Sequence, residues 1–530
     1  DNLSQGASSQ AAEDLLRARY IAQGETFLDG LTGCFAVFLH DPARQLTAIA
    51  RDGMGSQTLS YAIVGKRLFA HQDDAALLAE IGATGELSGL RLAEFFAFEE
   101  LSGRATFFER LSALLPGEML LLERGQMRRR WITRPNLGFR IERAHWEDYV
   151  EEFAELLSAS VLRCLTGLDR VAVLMSGGLD STPVAAFAAR HLAGRGGKSP
   201  VTALGWKMSD PRGDETALIR KTADKLGIDL EWIDCDDATP FSNLHDWPVH
   251  PSTPEQAAFR WFHQRSYARA AELGHCAVLS GFCGDVLYIS GRRWFWDLLS
   301  AEGPGRAIDR LREVSADVGW RRALRSHLFG PLLPRMRGLK REMAHYLTPE
   351  ARLLLAARPH WPPDLDLSRR PRQAERLLAL LDGHGANVER YYTEPFGLEQ
   401  RTPLRDFALV QFMLSVPDHL LQQGTETRPV LRAATRGLIP EEVRLRRDKG
   451  AFFDVLDRGM ATERLRWTRK LLLDPDALWR GHIEESNIRS WVESSPTDNW
   501  GKIGYLHAIY GELWRRERAG LPRPSADAVD

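Results

Sequence analysis

The stretch Val171-Ala172-Val173-Leu174-Met175-Ser176-Gly177-Gly178-Leu179-Asp180-Ser181-Thr182-Pro183 decides the fold. Five apolar residues in a row predict a strand buried on both faces. The run stops at Ser-Gly-Gly, and Pro183 predicts the first turn of a helix, where its missing N–H costs nothing. Strand, glycine turn and helix start together predict a loop that cradles phosphate. Glycines let the backbone approach an anion closely, and the N–H groups of a new helix face the same space. Ser176 and Ser181 add hydroxyl donors. Asp180 alone would repel phosphate, and it makes sense as a ligand of a Mg²⁺ that bridges to the phosphate oxygens. A bare Ser-Gly-Gly is no more than a common turn; the full spacing SGGxDS behind an apolar strand is far more specific.

Outward from this motif, apolar spacing predicts a helix over 146–165, with Val150, Phe153, Leu156, Leu157 and Val161 on one face. A helix over 182–193, a strand over 200–206, a helix over 214–226 and a strand near 229–234 follow. Strands alternating with helices predict a parallel sheet covered on both faces. From about residue 300 the chain reads as mostly helical. Upstream, residues 30–70 read as β structure, including the run Gly33–Leu39 and a hairpin around Gly65-Lys66. Helices are expected over 74–82 and 90–98, then a strand pair around Glu123–Gln126. Thr133–Arg143, with Pro135, Asn136 and Gly138, is the linker candidate. Gly196-Gly197-Lys198-Ser199 imitates the end of a Walker A loop, but Leu192 stands where a glycine is required, and a surface loop is the better reading.

The 530 residues are enough for two or more domains. With 69 basic against 71 acidic residues, the charge balance calls for no nucleic-acid or anionic-membrane partner. No stretch approaches the ~18–20 apolar residues needed to span a bilayer. DNLSQGASSQ lacks the basic and apolar regions of a secretory signal. Five scattered cysteines without CxxC spacing predict free thiols and a cytoplasmic protein.

Ser176–Ser181 resembles the pyrophosphate-binding loop of the PP-loop ATP pyrophosphatases, and further segments narrow this to the asparagine synthetase family. Leu279-Ser280-Gly281-Phe282-Cys283-Gly284-Asp285 looks like that family's second metal segment. Glu399-Gln400-Arg401-Thr402-Pro403-Leu404-Arg405-Asp406 is similar to its E-x-R-x-P-x-x-D stretch. Arg428–Arg432 and Arg447–Phe452 match its two C-terminal basic segments. Leu31–Ala36, Ala50–Gly55 and Leu115–Gly117 resemble its N-terminal domain.

The resemblance implies an α/β fold in two parts. Residues 144–530 would form a doubly wound parallel-sheet ATP-pyrophosphatase (synthetase) domain with a helical C-terminal part. Residues 1–135 would form an α+β, Ntn-hydrolase-like, glutamine-amidotransferase-like domain, incomplete and without glutaminase activity. ATP and Mg²⁺ are the implied cofactors, with the metal held between Asp180 and Asp285. Lys449 is implied beside the α-phosphate, Arg428 on the phosphates and Glu399 among the catalytic groups. Ser176, Gly177, Gly178, Leu179, Asp180 and Ser181 would hold the nucleotide phosphates, and Leu174, Leu204 and Gly281 the adenine, largely through backbone. Plainer roles remain open. Asp285 fits a turn, Lys449 fits a solvated basic face with Arg444, Arg446 and Arg447, and Glu399 with Arg401 fits a structural ion pair. Asp214-Glu215 suits a helix start by its charge alone.

Two departures shape the functional expectation. Glutamine-using members carry a catalytic cysteine at the mature N-terminus, whereas the first cysteine here is Cys34, expected inside a strand. The resemblance also implies a chain that begins partway through that domain, with two expectations open: a true N-terminus that lies upstream, or a domain that has lost glutaminase function. Phe282 stands where asparagine synthetases have Glu and β-lactam synthetases have Tyr, and it can neither bind nor deprotonate anything. Loss of the glutaminase with retention of the adenylating core is similar to lasso-peptide cyclases. The expectation is therefore an ATP-dependent, AMP- and pyrophosphate-forming amide ligase, most concretely lasso-peptide macrocyclase-like. Its partners would be a carboxylate substrate such as a precursor peptide, and a leader-peptide-processing protein. An asparagine synthetase, glutamine- or ammonia-dependent, and a β-lactam synthetase relative are the alternatives.

Overall fold

A computed structural model describes residues 2–3, 9–99, 103–193, 199–211, 213–237, 239, 249–256, 259–288, 294–329, 345–358, 377, 380–381, 390–423, 426–447, 457, 459, 466–494 and 496–522. The N-terminal region is built on an antiparallel sheet of β1 (Ala36–Asp41), β2 (Leu46–Arg51), β5 (Glu118–Glu123) and β6 (Gln126–Trp131), in the order β1-β2-β5-β6. A second sheet pairs β3 (Ser60–Val64) with β4 (Arg67–His71). Arg124 and Gly125 both take positive φ, 49° and 80°, the turn geometry that matches the twist of the β5–β6 hairpin. Helices α1 (Asp74–Glu80) and α2 (Gly89–Phe96) are capped by the side chains of Asp73 and Ser88.

The run from Gly33 to Leu39 is not one strand. Gly33 sits at φ 123°, and β1 begins only at Ala36. Cys34 therefore lies on a bend before the strand, not inside it, because a conformation natural to glycine turns the chain there.

The linker carries no regular structure but is tied down. Asn136 N donates to Gln411 Oε1 at 2.6 Å and Ile141 N to Ser415 O at 3.2 Å, while Leu137 and Ile141 are buried. Beyond it come α3 (Trp146–Cys164), β7 (Val171–Met175), α4 (Ser181–Leu192), β8 (Val201–Lys207), α5 (Thr216–Leu226), β9 (Asp229–Asp234), α6 (Arg260–Glu272), β10 (Ala277–Leu279) and β11 (Glu399–Arg401). All four pairings in this sheet are parallel, in the order β9-β8-β7-β10-β11. The Walker-like decoy lies outside the described residues, except for Ser199.

Alternation along each strand divides the core in two. Val171, Val173, Val201, Ala203, Ala277 and Leu279 face the core built with Phe153 and Leu157 of α3. Ala172, Leu204 and Val278 face the opposite core, with Phe262 and Tyr267 of α6. Each fully buried aliphatic side chain contributes about 1.5–3 kcal/mol, so neither face of β7 tolerates a polar residue. A further core is shared by distant parts of the chain. Leu77, Leu92, Phe95 and Phe96 are packed with Trp479, Tyr505, Ile509, Leu513 and Trp514, the last four on the C-terminal helix Asn499–Arg518.

Two histidines sit in these cores as neutral groups. His275, 5% exposed and 3.1 Å from Thr202 Oγ1, is pushed down to about 4, chiefly by burial, with Arg170 adding to it. His482, stacked on Phe96, is pushed down to about 4 by burial. Their unfolded-state value is about 6.5, so the stability they confer is complete above that pH and is lost as pH falls toward 4. Unfolding free energies from urea denaturation across this window should decline by at most about 1.4 kcal/mol per pH unit per histidine as pH falls. His275→Gln should flatten the decline; an unchanged slope would show that His275 is protonated alike in both states.

Candidate active site

In chain order the five strands run β7, β8, β9, β10, β11, so the sheet reverses direction of growth between β7 and β10. A ligand crevice opens at the carboxyl ends of two such strands in a doubly wound sheet. The loops leaving β7 and β10 are the segments that contain Asp180 and Asp285. They touch. A Cβ built on Gly281 would lie 2.6 Å from Ser181 N, and one on Gly284 would lie 2.3 Å from Asp180 Oδ1. Both glycines are therefore required by loop-on-loop contact. Gly281, assigned to the adenine pocket from sequence, has this packing role as well.

Arg428 closes the crevice from a third element. Its Nη1 donates to Asp180 Oδ1 at 2.7 Å and its Nη2 to Asp285 Oδ1 at 2.5 Å. It precedes the helix Pro429–Ala434 and takes φ 60°, ψ 43°, a left-handed conformation uncommon outside glycine and asparagine. One guanidinium thus bridges the two carboxylates expected to share a metal. Tyr288 is within reach of the charges of Asp180 and Arg428. Burial, and secondarily the Asp180 charge, hold its phenol well above the usual pKa, and its buried hydroxyl has no hydrogen-bond partner among the described residues.

The phosphate-loop candidate is heavily cross-braced. Ser176 N donates to Ser181 Oγ at 3.0 Å, and Gly178 N to Ser176 Oγ at 3.3 Å. Gly177 N donates to Glu215 Oε2 at 3.0 Å. Three of the N–H groups expected to face phosphate are thus engaged inside the protein. Glu215 is 7% exposed and also pairs with Arg446, which donates to Gly177 O at 3.1 Å. Glu215 carries more than helix-start charge. It fixes the loop, a role its sequence position beside Asp214 concealed.

Leu174 and Leu204 are paired across β7 and β8, with the Leu204 side chain 1% exposed in the core. Glu399 Oε2 accepts from Arg401 at 2.8 and 3.0 Å, and Arg401 also donates to Cys164 O and Thr166 O at the end of α3. The ion pair expected there exists and secures a helix terminus. Glu399 nevertheless lines, with Phe282, a cavity of about 260 Å³ between the N-terminal region and the sheet. Lys449 lies outside the described residues.

The sequence profile of the family described as asparagine synthase matches residues 152–514. The chain belongs to the asparagine synthase family. A profile described as a glutamine amidotransferase domain matches residues 3–132. Asparagine synthetase (glutamine-hydrolyzing) 3 of Bacillus subtilis is 22% identical over 453 residues, 82% of this chain and 69% of that one. Amidase chyE of Penicillium rubens is 29% identical over 259 residues, 46% of this chain, which spans 37% of the amidase. The U34-tRNA thiolase NcsA of Methanococcus maripaludis is 13% identical, covering 48% of this chain and 82% of that one at a TM-score of 0.21, and carries no argument. Membership makes the chain an asparagine synthetase-like, ATP-dependent ligase. No helix among the described residues is long and apolar enough to cross a membrane.

Loop-on-loop contact gives a direct test. Gly284→Ala should lose about 1–3 kcal/mol of stability from overpacking against Asp180. Gly305→Ala, in open space on a surface helix, should lose nothing. Urea denaturation compares the two, and equal stabilities would refute the close approach.

Proposed function

We propose that the chain adenylates a carboxylate with ATP, releases pyrophosphate, and couples the acyl group to an amine with release of AMP. One observation carries this reading: the switch point of the sheet brings Asp180 and Asp285 onto a single guanidinium. Two hard oxygen donors around one positive centre suit Mg²⁺, which commonly binds one or two carboxylates and completes its shell with phosphates and water. Among the described residues no group of three His, Cys, Asp or Glu could cage a metal alone, which favours an ion arriving with the nucleotide. Bound there, Mg²⁺ would neutralise charge on the triphosphate and the leaving pyrophosphate.

In the first step an oxygen of the substrate carboxylate attacks the α-phosphorus, and the bond to pyrophosphate breaks. In the second, the amine nitrogen attacks the acyl carbon, the bond to AMP breaks, and the amine loses a proton. Ser176, Ser181 and the first N–H groups of α4 hold phosphate oxygens. Arg428 releases the two aspartates and turns to the phosphates, and Lys449 stabilises charge at the α-phosphate. Glu399 faces the acid from the cavity side, and Leu174, Leu204 and Gly281 flank the base. The chain divides for this purpose into an amidotransferase-like part, 1–135, and the synthetase part, 144–530.

For the acid, we favour the side chain of a precursor peptide, as in a lasso-type cyclase, with the peptide's own amine as nucleophile. Phe282 supports this, since it supplies no ionisable group where a free amino-acid substrate would need one. The likeness to a Bacillus subtilis asparagine synthetase over 82% of the chain keeps aspartate as the second reading.

Exchange of labelled pyrophosphate into ATP should require Mg²⁺ and a carboxylate, and should fall about a hundredfold or more in Asp180→Ala. Exchange supported by Asp- or Glu-containing peptides but not by aspartate is the expected pattern. Exchange with aspartate alone would overturn the cyclase reading, and exchange that survives Asp180→Ala would overturn the site.

A further inference from the structure

The cavity between the two regions has an unusual charge balance. Its carboxylates are engaged: Glu399 with Arg401, and Asp406 with Arg163 at 2.6 Å and with the N–H groups of Ala408 and Leu409. Two of its cations have no such partner. Arg405 is 7% exposed, and one of its nitrogens donates to the carbonyls of Met54 and Leu380 at 2.8 and 3.1 Å. Arg390 donates to Thr58 Oγ1 at 3.2 Å and Gln72 O at 3.4 Å, and feels Asp74 only at longer range. Neither forms an ion pair among the described residues, and the Nε of each is buried without a hydrogen-bond partner. Burial pushes Arg51 down to about 10, with the Arg405 charge adding to the fall and the buried Asp52 carboxylate opposing it. A buried guanidinium with no ion-pair partner among the described residues is costly, and an anion that enters relieves the cost.

The position and size of the cavity narrow the guest. Phe282, 37% exposed, forms part of its wall, while the flanking Gly281 and Gly284 press on Asp180, so the wall is one segment thick. About 260 Å³ is smaller than the ~300–1,000 Å³ of drug-sized sites and suits a group of amino-acid dimensions.

We propose that this cavity binds a carboxylate-bearing group of amino-acid size, free or carried on a peptide, with Arg405 as its anchor and Arg390 as second donor. The site rests on the ligase reading for its purpose, as the place where the acid waits beside the phosphate loop.

Cys34 lines the cavity, with Gln57 Nε2 donating to its Sγ at 3.2 Å, and supplies a built-in reporter. The same thiolate attacks iodoacetate and iodoacetamide, displacing iodide from each, so their rate ratio cancels the thiol's acidity and reads the local potential for anions. Cys276, exposed, is the reference; Cys164, whose thiol burial pushes up to about 12, and buried Cys235 stay silent unless the fold opens. Peptide mapping of the full chain should give a ratio at Cys34 about fivefold or more above that at Cys276. The excess should vanish in Arg405→Met, shrink in Arg390→Gln and survive in Arg405→Lys, which keeps the charge if the first variant unfolds. L-aspartate and an Asp-containing pentapeptide, tried separately, should slow labelling and tell a free acid from a peptide-borne one. A ratio equal to that of Cys276, no labelling of Cys34 by iodoacetate, or protection by inorganic phosphate alone would each overturn the proposal. Labelling is independent of adenylation. A flat ratio with intact pyrophosphate exchange sinks the cavity site alone, and a high ratio without exchange sinks the ligase reading alone.

Discussion

Two carboxylates on adjacent strand ends repel each other, and the crevice exists because something positive lies between them. In this chain Arg428 fills that role, bonded to both Asp180 and Asp285. The two loops can bring the carboxylates that near only because positions 281 and 284 lack a Cβ. Arg428 in turn must leave the chain's ordinary conformations to reach them, at a cost on the order of 1 kcal/mol. Backbone strain, absent side chains and paired charges converge on one point, the usual mark of a site kept for chemistry and not for stability.

The same point draws in parts of the chain far apart in sequence. Glu215, from the turn before α5, and Arg446, from the C-terminal basic segment, both hold Gly177. Arg401 fastens the end of α3, and Arg405 reaches across to a carbonyl of the N-terminal region. Most of these bonds run from a guanidinium to a carbonyl or carboxylate, suiting a planar group with five donors in a fixed fork. The framework is rigid where phosphate would sit and electropositive on the side where an acid would enter.

Much of this was legible in the sequence because its signals are contiguous. The apolar run 171–175 became β7 over the same residues, and the helix and strand alternation that followed became a parallel sheet. The glycines of the two loops signalled close approach, although to each other more than to a ligand. What escaped depends on partners remote in sequence. Glu215 has a satisfactory local explanation as a helix-start acid, and nothing nearby reveals Gly177 and Arg446 as its partners. Arg405 occupies an unspecified position inside a recognised motif, and its burial follows only from how the N-terminal region docks. Cys34 was misplaced for a local reason, a glycine that turns the chain within an apolar run.

The core that joins α1 and α2 to the helix Asn499–Arg518 has a consequence in time. Those partners are separated by about four hundred residues of chain. At ~5–20 residues per second of synthesis, Leu92, Phe95 and Phe96 wait roughly 20–80 s for that helix, although Ala351 and Leu355 of the helix Pro349–Ala357 reach the same core sooner. During that interval the nascent chain presents a sticky surface to its neighbours on the ribosome. A chaperone that holds exposed apolar surface during that interval would shield such a chain from its neighbours.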